Sequence, residues 1–264
     1  MSEMIHRNIP DSWGQNSYHN DPTLSQLLDL YLPAALRQHL EHHFNEMGAL
    51  AGGELETLAI EADKHPPELA LRSRNGTERQ KILKHPAYQR LEAYAYGQFG
   101  LAAMSHRGGV LDWSEPMPPV VKYALTYLFV QAEFGLCCPL SMTDALTRTL
   151  RKFGDDALVN RYLEALTSQD MDLAYQGAMF MTEQDAGSDV GAITTEARQK
   201  DGKWRLYGDK WFCSNPDAAL AMVLARPEQG ERGTRGLTLF LLPRYLENGD
   251  LNHYRIVRLK DKLG

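Results

Sequence analysis

Residues 179 to 189 read Met-Phe-Met-Thr-Glu-Gln-Asp-Ala-Gly-Ser-Asp, an apolar run that leads directly into a polar turn containing glycine. A second segment, residues 208 to 215, reads Gly-Asp-Lys-Trp-Phe-Cys-Ser-Asn and again places aromatic residues beside hydroxyl and amide side chains. Each pattern is typical of a short β-strand that ends in a turn. Because the two segments lie close together in the sequence, we expect one β domain to bring them together.

The two segments carry the groups that a flavin nucleotide needs. A flavin requires an apolar or aromatic surface against its ring, hydrogen-bonding groups for the polar edge of the ring and an anion cradle for its pyrophosphate. Phe212 can cover a ring face, and Thr182 and Ser214 can hydrogen-bond to ring heteroatoms. Gly187 and Ser188 leave backbone N–H groups open to a phosphate. Gly-Ser-Asp is also a common turn sequence, so a purely structural role stands as the alternative.

The order and spacing of these motifs resemble the middle domain of the acyl-CoA dehydrogenase superfamily. The resemblance rests on Thr182-Glu183, the Gly-Ser-Asp turn, the hairpin that follows and the run Lys-Trp-Phe-x-Ser-Asn at residues 210 to 215. The sequence Met-Thr-Glu-Gln before the turn and the final residues 259 to 264, Leu-Lys-Asp-Lys-Leu-Gly, are most similar to the AidB-type, alkylation-response branch. The resemblance is strongest over residues 175 to 264 and continues through the helical part before it.

The resemblance implies a role for individual residues in holding FAD. Met181 and Thr182 correspond to residues beside the pyrimidine edge of the flavin, with the Thr182 hydroxyl as a hydrogen-bond partner. Ser188 corresponds to the residue at the FAD pyrophosphate, which in true dehydrogenases also borders the acyl-CoA. Phe212 stands where the family usually has a tryptophan, and Ser214 stands where it has a threonine near flavin N5. Both are departures in residue type that keep stacking and hydrogen bonding possible.

The reaction of the resembled family needs a carboxylate base. An acyl-CoA dehydrogenase removes a proton from the α-carbon while hydride leaves the β-carbon for flavin N5. In most of the family that glutamate comes from a carboxyl-terminal helical domain, which we expect to be absent from this chain, as if it were the amino-terminal part of a longer protein. We therefore assign no catalytic residue. Glu183 and Asp185 are interpreted as structural groups that bond backbone donors in the turn.

Composition excludes several classes of protein. The net charge of −6 and the pI near 5.9 of this 264-residue chain argue against a surface that follows nucleic-acid phosphates. No apolar run approaches the ~20 residues of a membrane span, and the amino terminus lacks a signal peptide, so we expect a cytoplasmic protein. Three cysteines make neither a disulfide framework nor a zinc spacing, which predicts reduced and mostly buried thiols.

Helical patterns dominate residues 1 to 170, which we predict to form an α-helical amino-terminal domain with an extended arm at residues 1 to 22. The arm is expected either to pack on a neighbouring subunit or to fray. One helix, apolar almost all round, is expected to be buried on most sides. Gly154 is expected to end another helix in a left-handed conformation, and residues 72 to 77 are predicted to be a loop. The predicted helices are 34–47, 87–104, 120–134 (the apolar one), 140–153 (the one before Gly154) and 155–166.

Strand patterns dominate residues 171 to 264, predicted to be a truncated β middle domain. Asp201-Gly202 predicts a tight hairpin turn, and several antiparallel strands at this spacing predict a small barrel or sandwich. The fold class is therefore α+β, with a helical bundle followed by an antiparallel β-barrel or sandwich. A basic cluster near residues 255 to 262 is interpreted as the exposed face of a half-buried strand. The predicted strands are 175–182, 193–198, 204–207, 221–225 and 237–242.

Three histidines near one another raise the possibility of a metal site. His39, His42 and His43 surround Glu41, but no His-Glu-x-x-His pairing falls on one helix face. We therefore predict an exposed, solvated helix face and assign no metal.

Two functions follow from the resemblance. The first is an FAD-dependent oxidoreductase that dehydrogenates an acyl-CoA thioester, and the resemblance also implies a homotetramer. The second is an AidB-type flavoprotein with a protective or DNA-associated role and a vestigial dehydrogenase activity. Because the family resemblance ascribes DNA contact to a carboxyl-terminal region, the acidic charge of this portion does not decide between them.

Overall fold

The computed structural model describes residues 12 to 260, so predictions that fall on residues 1 to 11 or 261 to 264 lie outside the described residues. A helical part is followed by a β-sheet, which confirms the α+β fold class. The helices are α1 (Pro22–Tyr31), α2 (Ala34–Ala51), α3 (Glu54–Lys64), α4 (Pro86–Glu92), α5 (Pro119–Phe129), α6 (Cys137–Phe153) and α7 (Asp156–Leu166). The strands are β1 (Glu68–Arg72), β2 (Glu78–Leu83), β3 (Gly177–Phe180), β4 (Glu196–Lys200), β5 (Lys203–Tyr207), β6 (Leu220–Pro227) and β7 (Thr238–Pro243).

Helix α2 lies at the centre of the helical core. Its residues Leu36, Leu40, Phe44 and Met47 recur at helical spacing and are all buried, as the apolar pattern predicts. Helix α5 packs beside it and contributes several fully buried side chains. The predicted helices near residues 140–153 and 155–166 are confirmed as α6 and α7, and the Asp155 carboxylate caps α7 by accepting from Leu158 N.

Three details of the helical prediction are wrong. The helix predicted over 87–104 is α-helical only as far as Glu92 and then becomes a π-helical turn, Ala93–Gln98. It does not extend to residue 104, because Gly100 adopts a left-handed φ of 55°. Helix α5 stops at Phe129 instead of continuing to residue 134; its expected burial on most sides is confirmed, with an exposed strip at Tyr123, which is 62% exposed. Gly154 is extended, with φ −72° and ψ 152°, instead of left-handed.

The described part of the predicted arm packs on its own chain. Gly14 N donates to Gly52 O at 2.7 Å, and Ser17 N donates to Gly48 O at 3.0 Å. The buried ring of Tyr18 stacks on Phe44 with ring centroids 5.6 Å apart. Residues 12 to 20 therefore cover one side of α2, and a β-carbon at residue 48 would collide with them.

A polar hairpin within the helical part was not predicted. Strands β1 and β2 pair antiparallel, and their turn contains the residues that were predicted to form a loop. The hairpin is held by contacts with the β part of the chain. Gln80 O accepts from the buried Arg244 at 2.6 Å, Gln80 Oε1 accepts from Ile256 N at 2.8 Å, and Asp217 accepts from Ile82 N at 2.9 Å.

The second part of the chain is a five-stranded sheet in the order β3-β6-β4-β5, with β7 on β6. Strand β6 pairs in parallel with β3 and β4 and antiparallel with β7, so the sheet is mixed and the prediction of an entirely antiparallel arrangement is wrong. The β4–β5 hairpin turns at Asp201 and Gly202 with φ of 53° and 72°, which confirms the predicted tight turn. Residues 252 to 260 form no strand, so the basic cluster does not lie on one within the described residues.

The centre of the sheet, strands β3 and β6, is buried on both faces, whereas β4, β5 and β7 are largely exposed or half-buried. Leu220 and Met222 of β6 pack against Leu146 and Leu150 of α6. On the other face, Phe180 and its neighbours pack near Tyr254. In the part of the chain that the structure describes, no helix is both long and apolar enough to cross a lipid bilayer.

Candidate functional site

The two polar segments identified in the sequence run side by side. Trp211 N donates to Thr182 O at 2.8 Å, and Lys210 Nζ donates to Met181 O at 3.0 Å. Further along, Asn215 Nδ2 donates to Gly177 O at 3.3 Å. These contacts hold residues 210 to 215 alongside β3 and the residues that follow it, so the fold brings together the segments that the sequence analysis paired.

Glu183 anchors the turn between them. One carboxylate oxygen accepts from Thr194 N at 2.6 Å and from the Thr194 hydroxyl at 2.8 Å. The other accepts from Thr195 N at 3.0 Å, from the Thr195 hydroxyl and from Lys210 Nζ at 2.8 Å. Burial alone would raise the pKa of Glu183, but the Lys210 and threonine hydrogen bonds outweigh it and lower the pKa to about 2. These contacts agree with the structural role predicted for this glutamate.

Two aromatic side chains lie in the middle of the second segment. Phe212 has a left-handed φ of 56° and is 54% exposed, while Trp211 is 37% exposed. A left-handed phenylalanine is strained, and such strain is found where a side chain must be presented in a particular direction. Lys260 Nζ lies 3.9 Å from the centroid of the Phe212 ring, and Arg258 lies 5.6 Å from that of Trp211.

These aromatic residues face a large open groove of about 2640 Å³ between the helical part and the sheet. The start of α6, strand β5 and residues 208 to 216 all contribute to its walls. Of the described residues that line it, eight are lysine or arginine and four are aspartate or glutamate, although the whole chain carries a net charge of −6. Lys84, Lys210 and Arg255 pair with carboxylates that lie outside the lining, so the unpaired positive charge is carried by the other cations, Arg258 and Lys260 among them. The groove therefore offers aromatic surface together with a few unpaired cations, which suits a flat, anionic ligand.

The predicted site residues divide into two groups by position. Phe212 and Ser214 line the groove. Met181 and Thr182 are half-buried and do not line the groove; their backbone carbonyls accept from the Lys210 side chain and from Trp211 N. The Thr182 and Ser214 hydroxyls form no hydrogen bond to another described residue, and of the two only Ser214 lines the groove.

Gly187 and Ser188 lie on the exposed turn and do not contribute to the groove wall. The space where a Gly187 side chain would stand is open, with no atom within 4 Å. A phosphate can therefore reach this backbone from solvent, but the structure does not place the turn in the groove itself.

The cysteines are less buried than predicted. Cys137 and Cys213 are half-buried, and Cys138 is exposed. Burial raises the pKa of Cys213 to about 11 and, with the nearby Glu133 charge, that of Cys137 to about 12, so both remain protonated thiols near neutral pH.

The histidine cluster on α2 is only partly exposed, because His42 is exposed, His39 is half-buried and His43 is buried. His43 is only 9% exposed, and neither of its ring nitrogens has a hydrogen-bond partner within residues 12 to 260. His39 Nε2 donates to Leu111 O at 2.7 Å. Burial, with the neighbouring His42 and His39 charges, lowers the pKa of His43 to about 4. The prediction of a solvated face is therefore wrong for His43, which packs as a neutral ring.

A second group, Glu61, His65 and His85, was not predicted, and its two histidines line the groove. The two imidazole rings stack with centroids 4.4 Å apart. His65 Nδ1 donates to Glu61 O at 2.9 Å, and His85 Nδ1 accepts from Ala87 N at 3.2 Å. His65 caps the end of α3 and His85 caps the start of α4, so each Nδ1 atom is engaged by a backbone group of a helix terminus. Helix capping therefore explains the arrangement.

A buried ionic network lies deeper in the helical part. Asp144 accepts from His106 Nε2 at 2.9 Å and from Lys122 Nζ at 2.7 Å, and all three side chains are buried. Burial would raise the pKa of Asp144, but the His106 and Lys122 hydrogen bonds outweigh it and lower it to about 2. The network connects α5 and α6 away from the groove, which indicates a structural role.

Comparison with known families identifies the architecture. The profile of the Adaptive response protein AidB N-terminal domain matches residues 8–173, and that of the Acyl-CoA dehydrogenase middle domain matches residues 178–264. The chain belongs to the acyl-CoA dehydrogenase superfamily, in its AidB-type branch. For this acyl-CoA dehydrogenase-like chain the middle-domain match contains both polar segments and the turn between them.

Individual relatives of this acyl-CoA dehydrogenase-like chain support the same family assignment. It is 31% identical over 258 residues to Acyl-CoA dehydrogenase family member 11 of Caenorhabditis elegans, covering 94% of this chain and 41% of that protein. It is 34% identical over 231 residues to Putative acyl-CoA dehydrogenase AidB of Escherichia coli strain K12, covering 83% and 40%. The chain thus spans about two fifths of the length of these curated relatives.

Solved structures give the same result. The apo-form of Bd2924 superposes with a TM-score of 0.83 at 32% identity, covering 97% of this chain and 52% of that one. Caenorhabditis elegans ACDH-11 in complex with C11-CoA superposes with a TM-score of 0.83 at 29% identity, covering 100% of this chain and 45% of that one.

Proposed function

We propose that this chain provides the FAD-binding part of an acyl-CoA dehydrogenase-like oxidoreductase, which dehydrogenates an acyl-CoA thioester between its α- and β-carbons. The observation that carries the proposal is the adjacency of the two segments: Thr182 is bonded through its backbone to Trp211, and Phe212 and Ser214 follow at the groove. When bound, FAD would accept a hydride from the substrate.

The residues present fit a flavin at the polar edge and the ring face. Two hydroxyls, those of Thr182 and Ser214, are without partners in the described structure, and the half-exposed Phe212 ring can stack on an isoalloxazine. The groove cations that have no acidic partner in the described structure, Arg258 and Lys260 among them, favour the diphosphate. Met181 would border the pyrimidine edge, and Gly187 and Ser188 would meet the pyrophosphate from the exposed turn, where Ser188 would also border the acyl-CoA.

Glu183 cannot serve as the base that takes the α-proton. Its two oxygens accept five hydrogen bonds, and its pKa of about 2 makes it a very weak proton acceptor. We therefore propose that the base belongs to another part of the whole protein. We further propose a cytoplasmic homotetramer with an acyl-CoA substrate, in keeping with the C11-CoA complex of ACDH-11.

Anaerobic titration of the purified intact protein tests this function. The protein is expected to be yellow, and at least one member of a panel of straight and branched acyl-CoAs should bleach its flavin absorption. A yellow protein whose flavin no acyl-CoA reduces would contradict the dehydrogenase proposal, and a protein that neither carries nor takes up FAD would contradict the flavin site as well.

A second candidate function rests on the match to the AidB amino-terminal domain, whose description is that of an adaptive response protein. In that case the flavoprotein has a protective or DNA-associated role, and its dehydrogenation is vestigial. The described portion favours no DNA contact of its own, because the net charge of the chain is −6. A flavin that no thioester reduces, together with a DNA mobility shift that weakens as salt rises, would favour this function over the first.

A further inference from the structure

The aromatic pair at the centre of the proposed flavin site is covered by two cations from the end of the described chain. Lys260 Nζ lies 3.9 Å from the centroid of the Phe212 ring, and Arg258 lies 5.6 Å from that of Trp211. All four residues line the groove. The sequence pattern placed these cations only on the exposed face of a predicted strand.

Neither cation is neutralised within residues 12 to 260. Several other positive groups of the groove have acidic partners; for example, Arg255 Nε lies 3.1 Å from Glu78, and Lys210 Nζ lies 2.8 Å from Glu183. Arg258 and Lys260 form no ion pair or hydrogen bond to another described residue, and their contacts are with aromatic faces. Two positive charges therefore stand on the aromatic surface with no described counter-charge.

A ligand phosphate can replace the contacts that Arg258 and Lys260 make with the aromatic rings. An exposed cation on a ring face is held more weakly than a cation that makes charge-assisted hydrogen bonds to a phosphate. A planar ligand that stacks on Phe212 also needs the ring face that Lys260 occupies. A ligand that carries a flat ring and a phosphate joined by a flexible chain can displace Lys260 from the Phe212 ring and also supply the phosphate that binds Lys260.

We propose that Lys260, with Arg258 beside it, binds the phosphate of a flavin nucleotide: Lys260 leaves the Phe212 ring face when the flavin ring stacks there and pairs with the phosphate of the same ligand. This inference rests on the proposed flavin site and adds phosphate-binding residues that the sequence motifs do not contain. The 3′-phosphate and diphosphate of coenzyme A offer the same chemistry, so the experiment separates the two sources.

The test measures dissociation constants of riboflavin, FMN and FAD for intact protein stripped of flavin, by quenching of flavin fluorescence. Riboflavin has the ring without phosphate, so it isolates the stacking contact. Lys260→Ala is expected to weaken FMN and FAD binding about tenfold and to change riboflavin binding less than twofold. Lys260→Arg should retain affinity for the phosphorylated ligands, because it keeps the charge. Lys200→Ala is the matched control, since Lys200 is an exposed lysine outside the groove.

The outcomes separate this inference from the proposed function. If wild-type protein binds no flavin of any kind, the flavin site itself is wrong and the inference fails with it. If wild-type protein binds FAD but Lys260→Ala leaves the FMN-to-riboflavin affinity ratio unchanged, only the inference is overturned. Weakening of coenzyme A binding with unchanged FMN binding would likewise overturn the assignment to the flavin phosphate.

A measurement on wild-type protein alone supplements the variants. If a cation–phosphate pair forms, FMN affinity should fall more steeply with added salt than riboflavin affinity does, because only FMN binding brings a phosphate to the site. Equal salt dependence of the two ligands would contradict the proposal. Circular dichroism of Lys260→Ala should match wild type, since Lys260 is exposed and makes no ion pair or hydrogen bond within the described residues.

Discussion

Replacing Glu183 by glutamine should destabilise the sheet more than any change to an exposed carboxylate nearby. The two oxygens of Glu183 accept five hydrogen bonds, two on one oxygen and three on the other. In glutamine an NH₂ group replaces one oxygen and cannot accept, so two or three of these hydrogen bonds are lost. The change also leaves the half-buried Lys210 ammonium without its counter-charge.

The magnitude follows from the pKa. A pKa lowered from 4.5 to about 2 corresponds to about 3 kcal/mol of preferential stabilisation of the ionised carboxylate in the folded state. Loss of one partner of a buried ion pair costs a similar ~3–5 kcal/mol. With a urea m-value of about 3 kcal/mol/M, the unfolding midpoint of Glu183→Gln should fall by about 1 M.

Urea unfolding followed by tryptophan fluorescence provides the assay. Glu196→Gln is the control: Glu196 is an exposed carboxylate on β4 whose ion pair with Arg198 is also exposed, so its free energy of unfolding should change by less than about 1 kcal/mol. Because the carboxylate pKa is lowered, the stabilisation is complete above pH 4.5 and is lost as pH falls toward 2. A midpoint for Glu183→Gln within 0.2 M of wild type, on the order of the experimental error, would refute the anchor role.

Three further predictions concern the helical part. Asp144→Asn should lower the free energy of unfolding by about 3–5 kcal/mol in urea, because it leaves the buried Lys122 ammonium unpaired; a loss below about 1 kcal/mol would contradict the network. Thr143→Val should lower the free energy of unfolding by about 1–3 kcal/mol, because the Thr143 hydroxyl accepts from Gly177 N at 2.9 Å and so joins α6 to β3. The control Thr149→Val removes only a hydrogen bond within α6 and should lower it less. Equal losses in the two variants would refute the link between α6 and β3. The free energy of unfolding should decline by up to about 3 kcal/mol as pH falls from 6.5 toward 4, because the lowered pKa of His43 means that the unfolded chain binds the proton first. His43→Phe should flatten this part of the pH profile, whereas the control His253→Phe, at an exposed histidine, should leave it unchanged. An unchanged slope in His43→Phe would exclude His43 as its source.

Local patterns predicted most of the regular elements. The periodic apolar positions of α2, the Asp155 cap of α7 and the Asp201-Gly202 turn each depend on neighbours in sequence, and all three are present. The pairing of residues 179 to 189 with 208 to 215 was also predicted, because the two segments are close enough in sequence to belong to one β domain.

Features that depend on distant contacts were not predictable in this way. The β1–β2 hairpin is polar, and its ordering depends on bonds from Gln80 to Arg244 and Ile256, residues far away in the sequence. The parallel pairing of β6 with β3 and β4 is a matter of topology that strand patterns do not encode. The position of Lys260 over Phe212 likewise arises only when the end of the described chain folds back on the site.

The dissociation constant of FAD for wild type and for the paired Thr182→Ala, Phe212→Ala variant tests the flavin site most directly. Loss of the stacked ring removes about 1 kcal/mol beyond its buried area, and loss of the hydroxyl removes about 1 kcal/mol more, so FAD affinity should fall at least about twentyfold. Full occupancy of the variant at wild-type affinity would show that the flavin, if bound, lies elsewhere.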